Sequence, residues 1–201
     1  MLDTSFMHSI VCTQNVKTFH ELSSSNRKSP NTPLRFALKK DSNAGKILAV
    51  DLDALKDKWY RMPEKGYNGR PCSADALFCK NDSVFLVEFK TGKLAHALRK
   101  VYDSALMLVE NFNVSVQQIR QNAIYIVVAS KWSPKTDCDE SISRASQLLR
   151  EQPWRDSAMM HHSDLMKMGL ANLDGVVVSK VYGLAPEEFE RLVCQEGWTV
   201  T

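Results

Sequence analysis

The fold of this chain is decided by an apolar stretch that carries two charges near its end, Val84-Phe85-Leu86-Val87-Glu88-Phe89-Lys90. Apolar residues alternate onto both faces of this stretch, which is typical of a central strand covered on both sides. Burying an unpaired carboxylate or ammonium costs several kcal/mol. Glu88 and Lys90 are therefore expected to have partners, a metal ion or a chemical task.

A second strand before this stretch predicts a hairpin. Residues 74–80 and 83–90 both have strand character, and Asn81-Asp82 between them suits a tight turn. A two-residue loop would set Asp75 opposite Glu88 on the same face, with Cβ atoms roughly 5 Å apart. A loop one residue longer would move Asp75 to the other face.

The side chains on this face predict a cation site. Two carboxylates as close as Asp75 and Glu88 repel each other unless a cation lies between them. Oxygen ligands at that separation suit a hard ion such as Mg²⁺ or Mn²⁺. Lys90 shares the face about 7 Å further along the strand. The alternative is structural: a salt bridge between Glu88 and Lys90, with Asp75 merely beginning a strand.

The three residues resemble the motif of the PD-(D/E)xK nuclease superfamily. In that family an Asp begins one strand of the core hairpin, and Glu or Asp, any residue and Lys lie near the end of the next strand. Asp75, Glu88 and Lys90 match these positions. The resemblance extends over residues 72–130, because a helix and then an apolar strand at 123–129 follow the hairpin, as they do in the family.

The chain departs from the family pattern at two positions. Ala74 stands where many members have proline, a change that the superfamily tolerates. Leu98 stands four residues before Tyr102, where some exonuclease branches have glutamine. The resemblance therefore does not extend to that exonuclease branch.

The resemblance implies an α/β fold of the restriction-endonuclease-like type, with a central mixed sheet and a core hairpin flanked by helices. It implies an Mg²⁺- or Mn²⁺-dependent endonuclease that hydrolyses phosphodiester bonds, most simply those of DNA. Asp75, Glu88 and the Phe89 carbonyl would bind the metal, and Lys90 would orient the attacking water and stabilise the transition state. The alternative function is a non-catalytic module of the same fold that binds nucleic acid or a protein.

The helix after the hairpin is predicted at about residues 92–112. Its apolar residues recur at spacings of three and four and form one stripe, comprising Leu94, Leu98, Val101, Ala105, Leu108 and Phe112. Thr91 is a candidate cap, and the first peptide N–H groups would favour a bound anion. Lys93, Arg99 and Lys100 are candidate phosphate contacts, with a solvated helix face as the alternative.

Composition limits the class of protein. The chain has 201 residues, 44% of them hydrophobic, and a formal net charge of +3, which neither requires nor opposes binding to nucleic acid. Five cysteines without a CxxC pair predict a reducing, cytoplasmic compartment. No apolar run approaches about 18 residues, so no membrane span is expected.

The rest of the chain is assigned more coarsely. Residues 1–33 are predicted to be an N-terminal segment with a polar connector, and residues 34–201 a single nuclease-like α/β domain. Within the latter we predict a strand at 34–39, helices at 51–60, 140–151 and 186–193, and a turn followed by a strand at 174–182.

Three further features have functional interpretations. The N-terminal segment and the methionines Met159, Met160, Met166 and Met168 are candidate contacts for a protein partner. His161 and His162 are adjacent, so we expect a loop rather than a second metal site. Family members often carry another acid on a helix before the hairpin, for which the candidates are Glu21, Asp51, Asp53 and Glu64.

Overall fold

The computed structural model describes residues 15–24, 37–60, 71–80, 83–90, 97–112, 114–129, 165 and 169–198. This part of the chain forms a six-stranded mixed sheet with helices on both faces, an α/β architecture as predicted. The strands are β1 (Val16–Thr18), β2 (Leu48–Asp51), β3 (Ala76–Lys80), β4 (Ser83–Lys90), β5 (Ala123–Ala129) and β6 (Lys180–Leu184). The helices are α1 (Phe19–Leu22), α2 (Asn43–Lys46), α3 (Leu52–Trp59), α4 (Ala97–Phe112), α5 (Val116–Asn122) and α6 (Pro186–Gln195), with a 3-10 turn at Ala171–Leu173.

The order of strands across the sheet follows the order along the chain. β1 to β4 form an antiparallel meander, whereas β4, β5 and β6 are parallel. Antiparallel neighbours need only short turns, but parallel neighbours need a crossover. The chain uses α4 and α5 to cross from β4 to β5, which places α4 close to the hairpin of β3 and β4.

The predicted hairpin register is confirmed. Lys80 pairs with Ser83, Cys79 with Val84 and Leu77 with Leu86, as a two-residue loop requires. The ladder ends at the pair Ala76 and Val87, so β3 begins two residues later than the predicted strand at 74–80. Asp75 therefore lies at the end of the ladder, just outside regular strand structure.

Two apolar cores cover the two faces of the sheet. One contains Leu77, Leu86, Tyr125 and Val127 from the sheet with residues of α3, α4 and α5. The other contains Val87, Phe89, Ile126 and Val128 from the sheet with residues of α1, α2 and α6. Glu88 follows the alternation of Val84 and Leu86, so its side chain points to the face that α4 covers.

Helix α4 is confirmed as the helix that covers the sheet, and Val101, Ala105 and Leu108 of its predicted stripe are buried, but the centre of the stripe is shifted. Leu98 was predicted to face the core, yet it is 39% exposed. The buried side chains are those of Ala97, Val101, Ser104, Ala105, Met107 and Leu108. A stripe through these residues brings the helix positions on its edge, including Lys100, toward the sheet.

The N-terminal part of the chain enters the sheet earlier than the predicted domain boundary at residue 34. β1 pairs with β2, and Phe19 is completely buried in the second core. Strand β2 was not predicted, because four residues give too short a pattern. Conversely, Ala37 and Leu38 are buried in a bend rather than in the predicted strand at 34–39, of which residues 34–36 lie outside the described residues.

The remaining predictions divide in two. The helices at 51–60 and 186–193 and the strand at 123–129 correspond to α3, α6 and β5, each within a few residues. The turn and strand predicted at 174–182 correspond to a turn at 175–177 and to β6, which begins only at Lys180. The predictions for Glu64, Thr91, Lys93, the helix at 140–151, the two histidines and the four methionines lie outside the described residues. Among the described helices, none is both long and apolar enough to cross a membrane.

Candidate functional site

The segment that leads into β3 is held by hydrogen bonds from two helices. The backbone N–H groups of Cys72 and Ala74 donate to Asp103 Oδ2 at 2.7 Å and to Ser104 Oγ at 2.8 Å. Asp103 and Ser104 belong to α4, and Ser104 is buried. Ser73 donates its hydroxyl to Asp53 of α3. These contacts fix residues 72–74 and thereby position Asp75.

The Asp75 carboxylate lies at the end of the hairpin ladder. Its Oδ2 accepts a hydrogen bond from the backbone N–H of Phe89 at 2.7 Å. The side chain thus satisfies a β4 N–H group beyond the last backbone pair, Ala76 and Val87. This contact holds the carboxylate of Asp75 beside β4, on the side where Glu88 projects.

A lysine from α4 lies between the two predicted acids. Lys100 Nζ is 2.9 Å from Asp75 Oδ1 and 2.8 Å from Glu88 Oε2. The structure therefore brings Asp75 and Glu88 together, as predicted, and the cation between them is an ammonium of the chain itself. The magnesium or manganese ion stays a prediction. The prediction of Lys100 as a candidate phosphate contact missed this bridging position.

Lys90 also lies at the site. Its ammonium forms an ion pair with Glu88 Oε1, on the opposite side of that carboxylate from Lys100. The Glu88 side chain is fully buried, whereas Lys90 and Lys100 retain 19% and 16% of their side-chain exposure. Within the described residues, Oε1 of Glu88 makes no hydrogen bond of good geometry, and Lys90 contacts it as an ion pair. Two carboxylates and two ammonium groups form a cluster of balanced charge.

Burial and charge alter the proton affinities in this cluster. Burial, followed by the charge of Glu88, raises the pKa of Asp75 from 3.8 to about 7, although Lys100 and the Phe89 N–H oppose the rise. Burial disfavours the charged form of Lys100, but the two carboxylates outweigh it and raise the pKa of this lysine. Lys100 is therefore a permanent cation, whereas the charge of Asp75 depends on its neighbours.

Tyr125 is a buried aromatic neighbour of the two acids. It is completely buried on β5, and its hydroxyl is 3.4 Å from the carbonyl of Ala97, near the start of α4 as described. Burial and the nearby charges of Glu88 and Asp75 raise the pKa of its phenol. A buried phenol therefore stays neutral beside the two carboxylates.

Asp53 is a third acid near the site. It forms an ion pair with Lys56 at 2.5 Å and accepts from Ser73, two residues before Asp75. Burial would raise its pKa, but Lys56, Ser73 and the charge of Lys100 together lower it. Of the three candidate acids that the structure describes, Glu21, Asp51 and Asp53, Asp53 is the one linked to the segment that carries Asp75. Asp51 instead caps α3 and pairs with Lys17, and Glu21 caps α1.

The other predicted contacts have different positions. Arg99 lies on α4 and pairs with Asp103 at 3.1 Å, so it supports the segment before Asp75 rather than facing Glu88. Phe89 lies at the site through its backbone N–H, and its carbonyl as a metal ligand stays a prediction. One feature of the sequence could have indicated the position of Lys100. It is three residues after Ala97 and four before Ser104, which are both buried on α4, so it lies beside them on the helix surface.

Asp75 and Glu88 supply the type of ligand atom that a divalent cation such as Mg²⁺ prefers. Asp75 and Glu88 converge on one positive charge, and both supply oxygen atoms, the ligands that hard cations prefer. Magnesium commonly uses one or two carboxylates and completes its coordination with water and substrate oxygens. In the described part of the chain, no group of three or more His, Cys, Asp or Glu side chains is arranged to hold a metal, so the fit rests on this pair.

Comparison with known proteins identifies no relative: no family model, curated protein or solved structure matches the chain.

Proposed function

We propose that this chain is a metal-dependent nuclease that hydrolyses phosphodiester bonds in DNA. The observation that carries the proposal is the convergence of Asp75 and Glu88 on one cation, at 2.9 and 2.8 Å from the Lys100 ammonium, with Lys90 on the same carboxylate. Burying this many charges is costly for a domain of this size. Clusters of buried charges that perturb each other's pKa are frequent at active sites.

The chemistry assigns a role to each side chain. Asp75 and Glu88 would hold a magnesium or manganese ion, which would lower the pKa of a bound water and neutralise charge on the scissile phosphate. Lys90 orients the attacking water and stabilises negative charge that develops on the phosphate oxygens. A compact ammonium suits this task because it acts as a point charge.

The order of elements supports the same proposal. The antiparallel hairpin of β3 and β4, the helix α4 and the parallel strand β5 follow one another in the order that the PD-(D/E)xK resemblance implies. Asp75 precedes the first hairpin strand, and Glu88 and Lys90 end the second, as in that motif. We therefore propose a restriction-endonuclease-like core.

One observation favours the alternative, a non-catalytic module of the same fold that binds nucleic acid or a protein. Lys100 already neutralises both carboxylates, so the cluster is electrostatically satisfied without a metal. A structural ion-pair network of this kind could hold α4 against the hairpin. The two functions differ in whether the protein binds a divalent ion and cuts a phosphodiester bond.

The deciding experiment is a cleavage assay with a matched variant. Purified parent protein and Glu88→Gln are incubated with supercoiled plasmid, linear duplex and single-stranded DNA in Mg²⁺ or Mn²⁺. The parent is expected to cut at least one substrate, and Glu88→Gln is expected to be inactive because it removes the buried carboxylate charge with little change in shape.

Glu187→Gln is the control variant, since Glu187 is an exposed acid on α6, in the layer on the other face of the sheet. It should cut as fast as the parent. A parent protein that binds DNA or a protein but cuts none of these substrates would support the non-catalytic module. Equal cleavage by Glu88→Gln and the parent would rule out this cluster as the active site.

A further inference from the structure

Lys100 is the group whose position the proposed nuclease mechanism does not use. It reaches across from α4 to place one ammonium within 3 Å of both carboxylates, whereas Lys90 forms an ion pair with Glu88 Oε1. The side chain of Lys100 is 16% exposed, and its acid partners Asp75 and Glu88 are 18% and 0% exposed. Lys100 thus lies between the two acids, at the position that a cation shared by both would occupy.

The charges of the cluster are already balanced, so a second cation shared by the two acids would be repelled. Asp75 and Glu88 contribute two negative charges, and Lys90 and Lys100 contribute two positive charges. A divalent ion bound to the same oxygens would be only a few ångströms from the Lys100 ammonium. At that distance, in a partly buried site, the repulsion between them amounts to several kcal/mol. A metal and Lys100 are therefore mutually exclusive neighbours of the carboxylate pair.

We propose that Lys100 is the resident counter-cation of this site and that a divalent metal binds by displacing its ammonium from between Asp75 and Glu88. The inference rests on the metal site of the proposed function. Lys100 holds the two acids close together in the metal-free protein, and so preserves the geometry of the site. Because the metal must first displace the Lys100 ammonium from the two acids, the apparent metal affinity of the parent protein is lowered.

The exposure of Lys100 makes the displacement feasible without unfolding α4. A lysine side chain has several rotatable single bonds, so its ammonium can move outward while the helix backbone stays in place. With the metal bound, the cluster has an excess of two positive charges. The displaced ammonium stays tethered beside the site, where the phosphate of a nucleic acid is the matching anion.

The test compares metal affinity in variants by calorimetric titration with Mn²⁺ in the absence of DNA. Lys100→Met retains the length and apolar stem of the side chain but removes the competing charge. It should bind Mn²⁺ roughly tenfold more tightly than the parent, or better, because the metal no longer has to displace an ion pair. Lys46→Met is the control, since Lys46 is an exposed lysine on α2, in the layer on the other face of the sheet. Its Mn²⁺ affinity should equal that of the parent.

A second measurement on the parent protein keeps the inference testable if Lys100→Met does not fold without metal. The lysine ammonium signals are recorded by ¹H–¹⁵N NMR, and the Lys100 signal is assigned as the one missing from Lys100→Arg. Addition of a diamagnetic divalent ion, Mg²⁺, should shift or broaden this signal at the same concentrations that saturate the site. A Lys100 signal unchanged at saturating Mg²⁺ would overturn the inference, as would equal Mn²⁺ affinity of Lys100→Met and the parent.

Failure of this inference and failure of the proposed function give different results. Tighter Mn²⁺ binding by Lys100→Met in a protein that cuts no DNA would support the counter-cation role and contradict the nuclease function. Metal-dependent cleavage by the parent with unchanged Mn²⁺ affinity in Lys100→Met would support the nuclease and contradict the displacement. No Mn²⁺ binding by either protein would contradict both.

Discussion

The carboxylate of Asp75 accepts the backbone N–H of Phe89 at 2.7 Å, so a side chain completes the hairpin where its backbone ladder ends. This relationship ties the candidate metal ligand to the stability of the sheet. Changes at Asp75 therefore affect folding as well as metal binding, and the two effects can be separated by the choice of substituent.

The first prediction concerns stability without metal. Asp75→Ala leaves the Phe89 N–H without its acceptor and is expected to lower the free energy of unfolding by about 1–3 kcal/mol. Asp75→Asn retains an oxygen that can accept this hydrogen bond, so it should cost about 1 kcal/mol less than the alanine variant. Urea unfolding in the presence of a chelator measures both. Equal losses would show that the Asp75–Phe89 contact contributes little.

The second prediction concerns stabilisation by metal. At a hundredfold excess over its Kd, Mg²⁺ or Mn²⁺ should stabilise the folded parent by about 2.7 kcal/mol, or roughly 5–10 °C in Tm. Asp75→Asn and Glu88→Gln each remove one carboxylate and should lose most of this response. Thermal unfolding over a range of metal concentrations measures it. A Tm response of the same size in all three proteins would exclude these acids as ligands.

The third prediction concerns pH. Burial and the charge of Glu88 raise the pKa of Asp75 to about 7, from 3.8. Between about pH 4 and pH 7 the folded protein retains a proton that the unfolded chain releases, so this group lowers the free energy of unfolding as pH rises. Asp75→Asn cannot titrate and should lack this component. The difference in unfolding free energy between parent and Asp75→Asn, measured in chelator from pH 4 to pH 8, checks it; a difference that is independent of pH would contradict the raised pKa.

The fourth prediction concerns the chemistry of Lys90. Lys90→Ala should reduce the cleavage rate by about a hundredfold or more, because the lysine acts on the transition state. The variant should still bind metal and keep most of its affinity for DNA. Lys90→Arg should also fail, since a planar guanidinium cannot replace a compact ammonium at a defined point. Cleavage rates, Mn²⁺ titration and DNA binding at a stated salt concentration separate these effects. Cleavage by Lys90→Ala at the parent rate would assign the activity to other residues.

Much of the hairpin was predictable because its rules are local. The strand period of two assigns Leu86 and Glu88 to one face, and a two-residue loop sets the register that the structure has between Cys79 and Val84. The exact start of β3 was not predictable. It depends on contacts of residues 72–74 with α3 and α4, which are about 20 to 31 residues away in sequence.

The sequence predicted helix α4, but it did not predict exactly which side of the helix faces the sheet. An apolar stripe at spacings of three and four can be drawn through Leu98 or through Ala97, and the sequence favours neither clearly. Packing of α4 against the sheet selects the second, buries Ser104 and leaves Leu98 39% exposed. With Ala97 rather than Leu98 facing the core, Lys100 points toward Glu88 instead of into solvent.

The sequence by itself determined the α/β class, the hairpin, its register and the grouping of Asp75, Glu88 and Lys90 on one face, because alternation and loop length operate over a few neighbouring residues. Only the tertiary structure decided that Lys100 lies between the two acids. That contact depends on where α4 lies over the sheet and how it is rotated. These two quantities follow from packing across the whole core rather than from any local pattern.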